Sequence, residues 1–171
     1  VNQKITIDSS SSAVISFIDN SILTLDKSSE FIIEKFDNIS QEPSFVLSIT
    51  NGKFTFESGS IAKAIKGLMT INLPGKKKED SEVDTPIMIL GLRGTLITGS
   101  NIDNNKKVSL VEDSLGNVGQ LDIDVGGQTI TVTEPSSGIN VSENNEIQNT
   151  TLSDEETDEI KTLIKEIAVN S

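Results

Sequence analysis

Any acid–base or nucleophilic chemistry in this chain must be done by carboxylates, hydroxyls, lysines and a single arginine. Its 171 residues include no histidine and no cysteine. That removes the common nucleophile–base pairs, thiol chemistry and nearly all zinc sites. Paired carboxylates could still work as they do in glycosidases, and two pairs are close in sequence. Asp122 and Asp124, at i and i+2, would share one face of a strand, most simply a solvated one; Glu112 and Asp113 are adjacent. The run Asn101-Ile102-Asp103-Asn104-Asn105 is rich in oxygen ligands. It lacks the alternating donors, the glycine and the closing Glu of a calcium loop. No glycine-rich loop opens a helix in the way that holds a nucleotide phosphate. The Asn-x-Ser/Thr sequons at Asn38, Asn140 and Asn149 are of a kind that arises often by chance. The expectation is a non-enzyme, with no catalytic, cofactor-binding or metal-ligating residue.

The lone arginine raises a sharper question. Arg93 lies in Leu90-Gly91-Leu92-Arg93-Gly94-Thr95, amid apolar residues, whereas the other cations are lysines mostly in polar segments. One reading buries the guanidinium against carbonyls or a carboxylate, pinning two parts of the chain, with Asp84 and Glu57 as candidate partners. The other makes it an anion-binding fork. The apolar setting favours the pin, and removing one member of a buried pair typically costs about 3–5 kcal/mol.

The elements that would position these residues are mostly strands. Aromatics are confined to six Phe, and Ile, Leu and Val recur in short alternating runs, a pattern suited to thin β layers. Runs of four to six residues between Ile5 and Phe56 alternate with breakers such as Ser9–Ser12, Asp19-Asn20-Ser21 and Asp26–Ser29. Asn51-Gly52 reads as a tight turn between Val46–Ile49 and Phe54–Phe56. A helical turn or two fits Ile61–Met69, and residues 74–86 read as a loop. After strands at Ile87–Leu90 and Thr95–Thr98, a meander of Val108–Glu112, Val118–Val125 and Gln128–Thr133 is expected. Three segments result: an all-β domain over 1–133, a polar linker over 134–152 and an amphipathic helix over 153–169. The helix opens with a capping box, Ser153 to Glu156. Its apolar stripe is Ile160, Leu163, Ile164 and Ile167. That stripe must pack on something, either its own domain or a neighbouring subunit.

A net charge of −12 repels nucleic acid, whose affinity for proteins comes mainly from cations on phosphates. The basic run Lys76-Lys77-Lys78 is followed at once by Glu79, Asp80 and Glu82, as in a solvated loop. Absence of cysteine is compatible with a bacterial surface or periplasmic protein. No segment approaches the ~18 continuous apolar residues of a membrane-spanning helix. With Val1 at its start and no signal sequence, the chain reads as a processed mature form or an excised domain.

Three stretches together resemble the FecR-like domain family. Thr85-Pro86-Ile87-Met88-Ile89-Leu90-Gly91-Leu92-Arg93-Gly94-Thr95 is similar to its TPTATIGIRGT segment. Ile18-Asp19-Asn20-Ser21-Ile22-Leu23-Thr24-Leu25 resembles its F-x-D-x-S-x-L-x-L run, and Leu47–Phe56 with Ser58-Gly59-Ser60-Ile61-Ala62-Lys63 resembles its LSLxxGxFxFxSGxIAK run. The match spans about residues 5–100. The resemblance implies an all-β fold, with short strands wound into a twisted, solenoid-like coil; the regular breakers suit a sandwich equally well. Family members are periplasmic halves of anti-sigma regulators responding to iron–siderophore uptake, or modules of secreted bacterial surface proteins. Neither a cytoplasmic anti-sigma segment nor a C-terminal receptor-contacting domain is recognisable in this sequence. The expected function is therefore a structural, self-associating module of the bacterial surface, joined through β edges, the terminal helix or both. The alternative is a periplasmic signalling domain that binds a receptor or transporter domain. Protein partners are expected, other copies of the chain among them, and no small-molecule ligand.

Overall fold

Alternating apolar residues become strands whose buried positions share one interior. The elements run β1 (Lys4–Thr6), β2 (Ala13–Ser16), β3 (Ile22–Leu25), β4 (Glu30–Asp37), β5 (Ser44–Glu57), α1 (Ser60–Lys63) and β6 (Leu68–Leu73). They continue with β7 (Met88–Arg93), β8 (Leu96–Ile102), β9 (Asn105–Val111), β10 (Gln120–Val125), β11 (Gln128–Val132), β12 (Ser137–Val141), β13 (Ile147–Thr151) and α2 (Asp154–Asn170). The computed structural model describes residues 1–75 and 87–170; the Lys76–Lys78 run and Asp84 lie outside them. In β3 Leu23 and Leu25 are buried, and in β10 so are Leu121, Ile123 and Val125, with part-exposed neighbours between.

One strand organises the sheet. The first part of β5 lies between β4 and β6; its last six residues pair with β8, and the final four of these also pair with β3. From the first part the order runs β1-β4-β5-β6-β7-β10-β11, and from the last part β2-β3-β5-β8-β9-β12-β13. Every pairing among the described residues is antiparallel except that of β5 with β6. The fold is thus mostly β, a sheet curled into a half-barrel around a single main core. Phe17, Phe36, Phe45 and Phe56 pack against one another, mostly edge to face, with neighbouring ring centres 4.7–5.9 Å apart.

Four expectations need correction. The helical turn over Ile61–Met69 is confined to Ser60–Lys63, and Leu68 and Met69 open β6 instead. Asn51-Gly52 does not turn the chain back; β5 passes straight through it. Gly52 has a φ of +118°, and a side chain there would run into Ser29. The register shift against β4 falls just before it, where Thr50 is the extra residue between Ile49 and Asn51. Val108–Glu112 and Val118–Val125 do not form consecutive strands of a meander, because β9 pairs with β8 and β12 while β10 pairs with β7 and β11. The polar linker over 134–152 is in fact two strands of the sheet. β12 adds to β9 with Gly138, Ile139 and Val141 buried, and β13 pairs with β12. Only two large apolar side chains mark β12, too few for its alternation to show.

The terminal helix begins as its sequence dictates. The Ser153 hydroxyl accepts from the Glu156 N–H (3.1 Å), and a Glu156 carboxylate oxygen accepts from the Ser153 N–H (3.2 Å). The helix lies on its own domain. Ile164 is buried with Leu96, Val111 and Leu152, and Ile160 and Ile167 pack on that cluster. A Lys161–Glu112 ion pair at 3.3 Å adds a polar tie. No helix among the described residues is long and apolar enough to cross a membrane.

Candidate functional site

The residues that carry the resemblance meet in space, and they meet inside the protein. Asp19 and Ser21, from the second motif, are 2% and 0% exposed. The Asp19 carboxylate accepts from the Ser21 N–H (3.0 Å) and hydroxyl (2.8 Å), and the Ser21 hydroxyl oxygen accepts from the Gly59 N–H (2.9 Å). The Asp19 carbonyl accepts from the Ser60 N–H at 2.8 Å. Ser58, beside Gly59, links this knot to the Arg93 motif: its hydroxyl accepts from the Thr95 N–H (2.7 Å), and its own N–H donates to the Thr95 carbonyl (2.8 Å). Each group satisfies the backbone of a loop that would otherwise bury bare N–H and C=O groups. With its oxygens committed to these donors and almost no surface exposed, the knot is built to hold loops together.

Arg93 is not part of it. The side chain is exposed on the outer face of β7, beside Gln120 of β10, and makes no ion pair among the described residues. The apolar look of the segment comes from Met88, Leu90 and Leu92, which alternate inward. Adjacency in sequence placed Arg93 among apolar residues; strand alternation points it the other way. The buried pin is therefore overturned. Arg93→Ala is expected to leave the melting temperature within about 2 °C of the parent, since surface changes of this kind stay within roughly 0.5 kcal/mol. A differential scanning comparison checks it.

Glu57 has a different neighbourhood from the one expected. It closes β5 beside Ile22 and Leu96. Burial raises its carboxyl pKa above 4.5, the charge of Asp113 raises it further, and Lys63 partly offsets both. Between the ordinary and raised values the folded chain holds more protons than the unfolded one, so stability falls as pH rises through that window. Glu57→Gln is thus expected to raise the melting temperature at pH 7, with the gain vanishing below pH 4.5. Melting curves across that range decide it.

The other candidates are used locally. Asp122 accepts from Gln120 and from the Thr131 hydroxyl (2.8 Å) on the outer face, and Asp124 accepts from the Gly127 N–H. Asp113 caps the turn at Leu115 and Asn117, while Glu112 holds Lys161. Asp103 and Asn104, both at positive φ, form the two-residue turn between β8 and β9. Asn101 is buried and donates to the Ile49 and Pro74 carbonyls. One residue with no signal in the sequence is Lys106, only 2% exposed, whose pKa burial pushes below the usual lysine value of 10.5. Its position opposite Asn101 on the inner face of β9 emerges only from the register.

A scan against family models returned no match, and neither did a comparison with curated proteins. Comparison with solved structures did. Two crystal structures of a "putative anti-sigma factor" from Parabacteroides distasonis ATCC 8503 superpose on this chain with a TM-score of 0.62. Identity is 11% and 10%, over 87% and 88% of this chain. The likeness is one of fold. The match extends over only 59% and 60% of the other chain, so that protein has much that lies beyond what is compared.

Proposed function

We propose that this chain is a non-enzymatic interaction module of a bacterial cell surface or secreted protein, joining other copies of itself through its sheet edges. The observation that carries the reading is the chemistry of those edges. Among the described residues four strands end the sheet: β1, β2, β11 and β13. Only β1 contains a charged residue, Lys4, which pairs with Glu30 at 3.4 Å. β2 (AVIS), β11 (QTITV) and β13 (IQNTT) have no charge and no proline, and their registers are unbroken by bulges. Monomeric sheets usually blunt their edges with such devices, because unpaired N–H and C=O groups template pairing with another chain. In a molecule of net charge −12, uncharged edges are also where two copies can approach with least repulsion. The motif residues support the same reading, since they serve the scaffold.

Light scattering behind a sizing column, over a concentration series, tests the proposal. Oligomers are expected, and Thr129→Lys on β11 or Gln148→Lys on β13 should dissociate them. A monomer at every concentration would sink self-association. The second reading, a periplasmic signalling domain, draws on the fold shared with the Parabacteroides distasonis structures and on the FecR-like motifs. It requires that monomer, together with a modest contact to a different protein.

A further inference from the structure

The outer face of the sheet beneath α2 carries a feature that edge pairing does not use. The register sets Thr24, Thr55, Thr98 and Ser109 side by side on β3, β5, β8 and β9. At a strand spacing of about 4.8 Å, this is a row of hydroxyls roughly 14 Å long. The adjoining row is Lys53, Ser100 and Lys107. α2 stands over both rows and leaves a groove of about 540 Å³, within the size range of ligand sites. Its other wall is Leu152 with Glu156, Glu159, Ile160 and Leu163 of α2.

Two properties of the groove point to a ligand. Ser109 lines it, is 0% exposed and has no hydrogen-bond partner for its hydroxyl; the Thr24 hydroxyl, at the far end of the row, is also unpartnered. Natural interiors rarely leave such groups unsatisfied. Secondly, opposite charges face each other without meeting. Lys53 and Lys107 line the sheet side and Glu156 and Glu159 the helix side, and no ion pair joins them. A purely anionic ligand would meet the glutamates and a purely cationic one the lysines. A neutral sugar could hydrogen-bond to these groups but would neutralise none of the four charges.

We infer that the groove binds a short zwitterionic peptide. Its carboxylate lies along Lys53, Ser100 and Lys107, where two ammonium groups and a hydroxyl can donate to it. Its ammonium lies toward Glu156 and Glu159. Its amide groups meet the hydroxyl row, and small apolar side chains rest on Leu152, Ile160 and Leu163. This assignment does not depend on the edges.

The test titrates the full chain with tetra-alanine bearing free termini, with the same peptide acetylated and amidated, and with maltotriose, following amide shifts by NMR. Free tetra-alanine is expected to bind at least about tenfold more tightly than the blocked form, because only it has both charges. A Lys53→Gln/Lys107→Gln variant should lose that preference while melting like the parent, as neither lysine makes an ion pair among the described residues. Ser109→Ala should weaken both peptides. No shift with free tetra-alanine at about 10 mM, where even a weak site would be occupied, would overturn the inference. So would equal binding of the blocked peptide, tighter binding of maltotriose, or a double variant that keeps the preference.

Discussion

Gly59→Ala is expected to melt roughly 10 °C below the parent, the steepest loss from a single added methyl group anywhere in the motif knot. A Cβ at this position would fall onto the Asp19 carbonyl oxygen and the Ser21 amide nitrogen. Neither can yield, because both are backbone atoms and both belong to the buried network. The Asp19 carbonyl holds the Ser60 N–H, and the Gly59 N–H itself donates to Ser21. Overpacking alone typically costs about 1–3 kcal/mol, and each buried polar group left unpaired adds about 1–3 kcal/mol. At about 2–4 °C per kcal/mol for a domain of this size, the two effects together give the stated drop. Gly91→Ala is the control. It lies in the Arg93 motif too, but its added Cβ would sit at an ordinary 3.7 Å from Asp122, and melting should barely move. If the two variants melted alike, the knot would not be what fixes these loops.

Lys106→Met should act in the opposite direction, raising the melting temperature by about 3–6 °C at pH 7. The lysine is among the largest fully buried side chains and has no ion-pair partner among the described residues. Replacing a desolvated charge by an apolar chain of similar length commonly stabilises by about 1–2 kcal/mol or more. The pH dependence separates this cause from mere repacking. Burial holds the Lys106 pKa below 10.5, so between the lowered and ordinary values the unfolded chain binds more protons than the folded one. Stability of the parent therefore rises with pH through that window. The advantage of Lys106→Met should be full below the lowered value and shrink as pH climbs through it toward 10.5. A constant advantage across that range would assign the gain to packing alone.

Apart from β6, whose first residues read as helix, the strands of the first hundred residues were legible because their apolar residues alternate over four or more positions, as in Ile22–Leu25, and because Asp, Asn and Ser clusters separate them. The terminal helix was legible from its capping box and its stripe. What could not be read was partnership. β12 resembled a linker because Gly138 and Asn140 leave it only Ile139 and Val141 to bury; its identity as a strand depends on β9 lying alongside. Asn51-Gly52 has the residues of a hairpin, yet the long strand is held by neighbours on both flanks, and Asn51 and Gly52 stay paired, with Glu30 and Asn101, just past a one-residue irregularity at Thr50. Arg93 misled for a related reason: its sequence neighbours are apolar, but they face away from it. The hydroxyl row and the buried lysine lie further from reach, since residues on four strands come together only when the register is known. Tertiary pairing, not local preference, decides each of these positions.

The shared strand has a thermodynamic consequence. A sheet built on two separate strand sets could lose one set and keep the other, but here the buried side chains of Phe45, Leu47, Ile49, Phe54 and Phe56 all belong to one backbone segment. Opening either part withdraws partners from the same fourteen residues, so the two parts form a single cooperative unit. Under native-state hydrogen exchange, the amides of β5 should therefore fall into one slowest class from end to end, exchanging only when the whole domain opens.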